Sequence, residues 1–244
     1  MGKDEKTQSQ TEQAETERPM NPHQSAVLEF QTKVAGQPIP DPFLPQRVMP
    51  DFFAKQKDIA LEEWKEFKGH YDDLRRGSDD DGWRKDIADD LADTMFTVYG
   101  MANVVGEALF IIPISRDYTK VQFLRHEIDR LNELFDWKFP VQAVSGVCVE
   151  MIDRLAFIGS ELYIDTNVAL REVCDCNMTK LWDAGELIGR EHEVSSGEWH
   201  VAPVQIASGQ ILYRVVNTHG KLIKSIHTRQ PDHAKALLNK RPKQ

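Results

Sequence analysis

The chain of 244 residues has few cysteines, few aromatic residues and no long hydrophobic run. Three cysteines, Cys148, Cys174 and Cys176, give an odd number without a disulfide framework, which predicts a reducing, cytoplasmic environment. The longest apolar stretch, residues 101–114, contains Glu107 and is too short for a spanning helix, so we expect no membrane association. The first nineteen residues lack an apolar run, which argues against a secretory leader.

The composition also indicates how the chain is organised. Residues 1–20 are rich in Gln, Glu and Thr, and we interpret them as a disordered tail. Five prolines between Pro38 and Pro50 predict an extended loop after a first helix. Helical periodicity then dominates up to about residue 188, which predicts one all-α domain over residues 21–188.

Two acidic clusters lie on neighbouring predicted helices. Glu62, Glu63 and Glu66 share one turn of the first helix, and Asp90 and Asp93 share one turn of the second. Solvated helix faces commonly carry such runs, but two linked clusters would repel one another and raise the pKa values of their carboxylates. Hard divalent cations with oxygen ligands relieve such repulsion. The pattern alone therefore leaves two interpretations open, a solvated surface and a divalent-metal site.

The spacing of these carboxylates resembles a known signature. Glu63-x-x-Glu66, twenty-three intervening residues and Asp90-x-x-Asp93 are similar to the ExxE…ExxD motif of the all-α nucleoside triphosphate pyrophosphatase superfamily, which includes MazG-type and phosphoribosyl-ATP pyrophosphohydrolase-like proteins. The segment NMTKLW, residues 177–182, resembles the Asn-Met-Ser-Lys-Leu segment of that superfamily. The long apolar helix that follows Asp93 is a third match. Three matches in the expected order make the resemblance specific.

The resemblance implies a fold and a metal site. The fold would be all-α, a MazG-like helical bundle with an inserted helical hairpin at about residues 107–160. Two or three Mg²⁺ ions, with Mn²⁺ as a substitute, would be held by five carboxylates: Glu62, Glu63, Glu66, Asp90 and Asp93. The metal would lower the pKa of a bound water.

The resemblance also implies a reaction. A nucleoside or deoxynucleoside triphosphate would be hydrolysed to the monophosphate and pyrophosphate, with Glu63 and Glu66 as the catalytic carboxylates. Asn177, Lys180 and Trp182 would contact the substrate. Relatives assemble from paired helical hairpins, so we expect a homodimer or a higher homo-oligomer.

The chain departs from the family pattern in three places. Asp90 stands where the family usually has Glu, and Cys174-Asp175-Cys176 stands where relatives often carry a basic phosphate contact. The third departure is the insertion at residues 107–160, which contains a second ExxD-like pair, Glu150 and Asp153. We interpret that pair as ordinary charges on a helix surface.

The C-terminal part differs from the rest of the chain. Residues 205–244 predict a small ββα unit, with strands at 210–217 and 222–228 and a helix starting at Pro231 and Asp232. From Arg214 onward the chain has eight Lys and Arg and one acid, a formal +7, so the remainder of a chain of −9 carries −16. Such a unit could bind nucleic acid or polyphosphate, or dock on the acidic body of its own chain.

Two other functions stay open from the sequence. One is phosphoribosyl-ATP pyrophosphohydrolase, which would share the metal site. The other is a non-catalytic protein that binds nucleic acid or a partner through the basic C-terminal unit, with salt-sensitive affinity and no metal-dependent turnover.

Overall fold

The computed structural model describes residues 20–37, 39, 50–74, 81–106, 109, 123–136, 143–206, 208–219 and 221–238. These residues are mostly helical, with one two-stranded antiparallel sheet near the C-terminus, which confirms the prediction of a mainly α protein. No helix among them is both long and apolar enough to cross a membrane. The predicted disorder of residues 1–19, most of the proline-rich loop and the connection at 75–80 lie outside the described residues.

The helical part begins with α1, Pro22–Glu29, which continues as a π-helical turn, Phe30–Val34. Two long helices follow, α2 at Pro50–Leu74 and α3 at Asp81–Val105. Helices α4, Phe123–Phe135, and α5, Val144–Glu161, occupy the predicted insertion. Next come α6, Thr166–Met178, and two short helices, α7 at Ala184–Leu187 and α8 at Glu191–Ser195.

Helix α3 is the centre of the core and packs against α1, α2, α5 and α6. From Thr94 to Val105 every residue of this helix is buried, which fits a segment without a formal charge. On α2, the fully buried Trp64 stacks on Phe67 and on Phe135 of α4, with ring centroids 5.0 and 5.5 Å away. The indole N–H of Trp64 donates to Asn132 Oδ1 at 2.9 Å, so this polar atom is satisfied inside the core.

The predicted pair of helices between residues 107 and 160 is present as α4 and α5. An ionic network joins them, in which Arg154 donates to Glu127 at 2.6 Å and to Glu150 at 2.8 Å. Our interpretation of Asp153 as a surface charge is wrong, because it is buried. Arg154 pairs with a carboxylate from each of the two helices in a largely buried region. The network therefore favours one arrangement of α5 on α4.

The sheet is an antiparallel hairpin of β1, Trp199–Gln205, and β2, Ile211–Asn217. Only the first predicted strand is therefore correct, and its partner precedes it. Residues 222–228 are not a strand and make a single bridge, Leu222 to Val216. Pro203 made β1 hard to predict, because proline lacks the N–H group that a strand donates to its neighbour. In a two-stranded sheet, however, each strand has one unpaired edge, where the missing donor costs no hydrogen bond.

Within the described residues up to Leu238, the predicted C-terminal helix is a 3₁₀ turn, His233–Ala236. This turn packs on α3 and α6, with His233 and Ala236 buried. The guanidinium of Arg84 in α3 donates to the carbonyl of Leu238, and the backbone N–H of Asp165 donates to Ala236 O at 2.7 Å. The chain up to Leu238, the last described residue, is therefore docked on its own helical body.

Candidate functional site

A cavity of about 370 Å³ lies where α2, α3 and α6 meet the C-terminal segment, which we define as residues 221–238. Its apolar lining comes from side chains such as Phe30, Ile59 and Phe96. Its charged and amide side chains are Glu63, Asp89, Asp93, Asn177, Lys180, Lys224, Arg229 and Gln230. Carboxylates from α2 and α3 therefore share one cavity with cations from two later parts of the chain.

Glu63 and Asp93 are the predicted site carboxylates that line this cavity. Burial and the charges of neighbouring carboxylates, Glu66 first, raise the pKa of Glu63 to about 7. Burial and the charges of Asp89 and Glu63 raise the pKa of Asp93 to about 8. The two side chains are thus held where ionisation is unfavourable until a positive charge compensates them.

Asp89 is a cavity residue that the sequence reasoning missed. It lies one turn before Asp93 on the same face of α3, so its i, i+4 spacing was the signal available in the sequence. Its Oδ1 is 2.7 Å from Nε2 of the buried His233 in the C-terminal segment. That contact ties the C-terminal segment to the acidic part of the cavity.

Asp90 does not line the cavity. It is 7% exposed, and its Oδ2 is 2.6 Å from Nδ1 of His70 on α2. Burial raises the pKa of Asp90 to about 6, although the hydrogen bond from His70 opposes this rise. The same hydrogen bond raises the pKa of His70. Asp90 therefore joins α2 to α3 as half of a hydrogen-bonded pair.

Glu62 and Glu66 are exposed and also lie outside the cavity lining. The structure thus brings two of the five predicted metal-binding carboxylates into the cavity and adds Asp89. Within the described residues, no three His, Cys, Asp or Glu side chains form a group that could hold a metal ion as they stand.

Asn177 and Lys180 line the cavity as a hydrogen-bonded pair, in which Lys180 Nζ donates to Asn177 Oδ1. Asp165 caps α6 by accepting from the backbone N–H groups of Asn167 and Val168, and Asn177 lies in the last turn of that helix. Lys180 Nζ also lies 5.4 Å from the centre of the Phe30 ring. Burial and the charge of Lys224 lower the pKa of Lys180, whereas Asp93 and Glu63 act in the opposite direction.

Trp182, the third predicted substrate contact, lies outside the cavity lining. It is 3% exposed, and its indole N–H donates to the carbonyl of Ile223 at 2.7 Å. Its ring packs edge-on against Trp199 of β1, with centroids 5.3 Å apart. Trp182 therefore attaches the sheet and the C-terminal segment to the helical body.

The C-terminal segment forms part of the cavity wall. Lys224 and Arg229 line the cavity, and Arg229 also pairs with Glu172 of α6 at 3.0 Å. The backbone N–H of Arg229 donates to Thr179 Oγ1 at 2.9 Å. Of the roles considered for the basic unit, docking on its own acidic body agrees with these contacts.

The chain matches no protein-family model, no curated protein and no solved structure.

Proposed function

We propose that this protein is a metal-dependent nucleoside triphosphate pyrophosphohydrolase of the all-α, MazG-like superfamily. One observation supports this proposal above the others. Glu63 and Asp93, from the two halves of the acidic motif, line the same cavity as Asn177 and Lys180, from the separate NMTKLW segment. Because these residues are far apart in sequence, a chance resemblance of short motifs would not require them to converge.

The residues present fit a hard divalent cation. Glu63, Asp89 and Asp93 offer only carboxylate oxygens, the donors that Mg²⁺ and Mn²⁺ prefer. The raised pKa values of Glu63 and Asp93 reflect burial and the charges of neighbouring carboxylates, both of which a bound cation would offset. On binding, these carboxylates would draw together around the cation. Bound Mg²⁺ would supply charge neutralisation at the phosphates and a lowered pKa for a coordinated water.

The side chains of the chain would divide the remaining tasks. Glu63 lines the cavity with a carboxylate that can accept a proton from an attacking water. Glu66, the second predicted catalytic carboxylate, lies one turn further along α2 and acts on Glu63 through its charge. Lys180 and Asn177 can donate hydrogen bonds to phosphate oxygens, where charge accumulates as the bond to the leaving pyrophosphate breaks.

The oligomeric state is part of the same proposal. Superfamily members assemble from paired helical hairpins, and we propose that this chain forms at least a homodimer. Light scattering coupled to size-exclusion chromatography would measure the mass directly. A monomer at all concentrations would contradict this part and leave the proposed reaction open to its own test.

The experiment for the reaction is pyrophosphate release from a panel of ribo- and deoxyribonucleoside triphosphates and phosphoribosyl-ATP. Each is assayed with Mg²⁺, with Mn²⁺ and with chelator. We expect metal-dependent release that falls by at least about 100-fold in Glu63→Gln. Asp58→Asn, an exposed carboxylate earlier on α2, is the matched control and should retain turnover.

Three outcomes separate the alternatives. Unchanged turnover in Glu63→Gln would remove this carboxylate from the mechanism. Release from phosphoribosyl-ATP alone would select the second enzyme function. Silence across the panel with both metals would refute the hydrolase proposal and favour a binding protein.

A further inference from the structure

Lys224 is a cation that the proposed mechanism does not yet use. It is exposed, it lines the cavity, and it belongs to the C-terminal segment, outside the part of the chain that resembles the superfamily. Among the described residues, Lys224 makes no ion pair with a carboxylate, whereas Arg229 on the same wall pairs with Glu172. The charge of Lys224 is therefore available to a ligand in the cavity.

The backbone on both sides of Lys224 is fixed by hydrogen bonds. Before it, the N–H of Ile223 donates to the carbonyl of Val215 in β2 at 2.8 Å. After it, the N–H of the buried Ser225 donates to the carbonyl of Lys180 at 3.2 Å. The second bond attaches Ser225, the residue after Lys224, to the backbone of Lys180. The fold therefore holds the two lysines near one another.

Two ammonium groups in one cavity repel each other unless an anion lies with them. Lys180 interacts with Lys224 and also with Asp93 and Glu63, so it links the basic wall to the acidic residues. A polyphosphate has the matching shape, because its successive phosphates carry negative charge over a distance of several ångströms. One phosphate could lie at the carboxylates, with a metal, and the others at the lysines.

The adjoining Cys174-Asp175-Cys176 segment of α6 contributes no positive charge to the cavity. Cys176 lines the cavity, whereas Cys174 and Asp175 do not. Burial raises the pKa of the Cys176 thiol to about 11, so this side chain is neutral at physiological pH. The positive charges of the lining come instead from Lys180 and from Lys224 and Arg229 of the C-terminal segment.

We propose that Lys224, together with Lys180, binds the two outer phosphates of the substrate and then the pyrophosphate product. This inference rests on the proposed function and deepens it, since it assigns the basic C-terminal segment to the substrate site. The segment would then act as a specificity element that distinguishes triphosphates from monophosphates.

The test measures binding of inorganic pyrophosphate to the full chain by calorimetry, with Mg²⁺ and separately with chelator. We expect Lys224→Ala to weaken binding by about tenfold, the loss of one charge-assisted contact, and Lys224→Arg to restore most of it. Lys221→Ala is the matched control, because Lys221 is exposed in the same segment but does not line the cavity. Inorganic phosphate should bind far more weakly than pyrophosphate to the wild type.

The outcomes keep this inference separate from the proposed reaction. Pyrophosphate binding that depends on Lys224, in a protein without hydrolase activity, would support the polyphosphate site and refute the reaction. Metal-dependent hydrolysis with the same KM and the same pyrophosphate affinity in Lys224→Ala would support the reaction and overturn this inference. A wild type that binds no pyrophosphate under either condition would also overturn it, and so would equal losses in Lys224→Ala and Lys221→Ala.

Discussion

Replacing Asp93 with asparagine should stabilise the metal-free protein while it removes hydrolysis. The folded state raises the pKa of Asp93 from its ordinary value of 3.8 to about 8. The unfolded chain therefore releases this proton near pH 4, whereas the folded chain keeps it until about pH 8. Because the unfolded state binds fewer protons over this interval, the free energy of unfolding falls as pH rises from about 4 to about 8.

The magnitude follows from the size of the shift. One pKa unit corresponds to about 1.4 kcal/mol, so near pH 7 the upper limit of the penalty from Asp93 is about 4 kcal/mol. Asparagine has almost the same shape and no charge. We expect Asp93→Asn to recover roughly 1–2 kcal/mol, because a buried amide also needs hydrogen-bond partners and its neighbours titrate with it.

The assay is urea denaturation in chelator at several pH values between about 4 and 9, for wild type and Asp93→Asn. The stability difference should be near zero at the acid end and grow with pH. Asp86→Asn, which changes an exposed carboxylate on the same helix, should run parallel to the wild type. Added Mg²⁺ should stabilise the wild type more than Asp93→Asn. Parallel curves for wild type and Asp93→Asn would refute the reasoning from burial and repulsion.

Two further predictions concern the site and the core. At subsaturating Mg²⁺, kcat/KM should rise with pH as Glu63 and Asp93, with pKa values of about 7 and 8, lose their protons, and the midpoint should move to lower pH as Mg²⁺ increases. Rates measured across pH at three metal concentrations would check this, and a midpoint independent of Mg²⁺ would contradict it. In the core, Asn132→Ala leaves the buried indole N–H of Trp64 without its acceptor and should cost about 1–3 kcal/mol in thermal or urea unfolding. Lys68→Ala, which removes only the second donor to Asn132, should cost about 1 kcal/mol or less, and equal losses in the two variants would argue against the indole bond as the cause.

Asp89 and Asp90 show where prediction from the sequence reached its limit. They are adjacent in the chain, so their side chains point about 100° apart around α3. Motif spacing favoured Asp90, but the packing of α3 against α2 sets the rotation of the helix and turns Asp89 into the cavity. Asp90 instead meets His70 of α2. A periodic pattern identifies the two faces of a helix but does not fix which of two neighbouring residues borders a cavity.

Trp182 and the C-terminal residues show the same limit over longer distances. A tryptophan next to Asn177 and Lys180 can stack on a substrate or pack in the core, and the sequence does not distinguish these roles. The bond from its indole N–H to Ile223 depends on where the C-terminal segment lies. That placement depends on a sheet whose first strand was not predicted.

The sequence by itself determined the mainly helical class, the two helices between residues 107 and 160, and the helical positions of Glu63, Asp93 and Asn177. These features depend on local periodicity and composition, which act over a few residues. Only the tertiary structure decided that Asp89 replaces Asp90 in the cavity lining and that Lys224 and Arg229 complete its wall. The physical reason is that a cavity forms where separate elements pack, and long-range burial and backbone hydrogen bonds choose that packing.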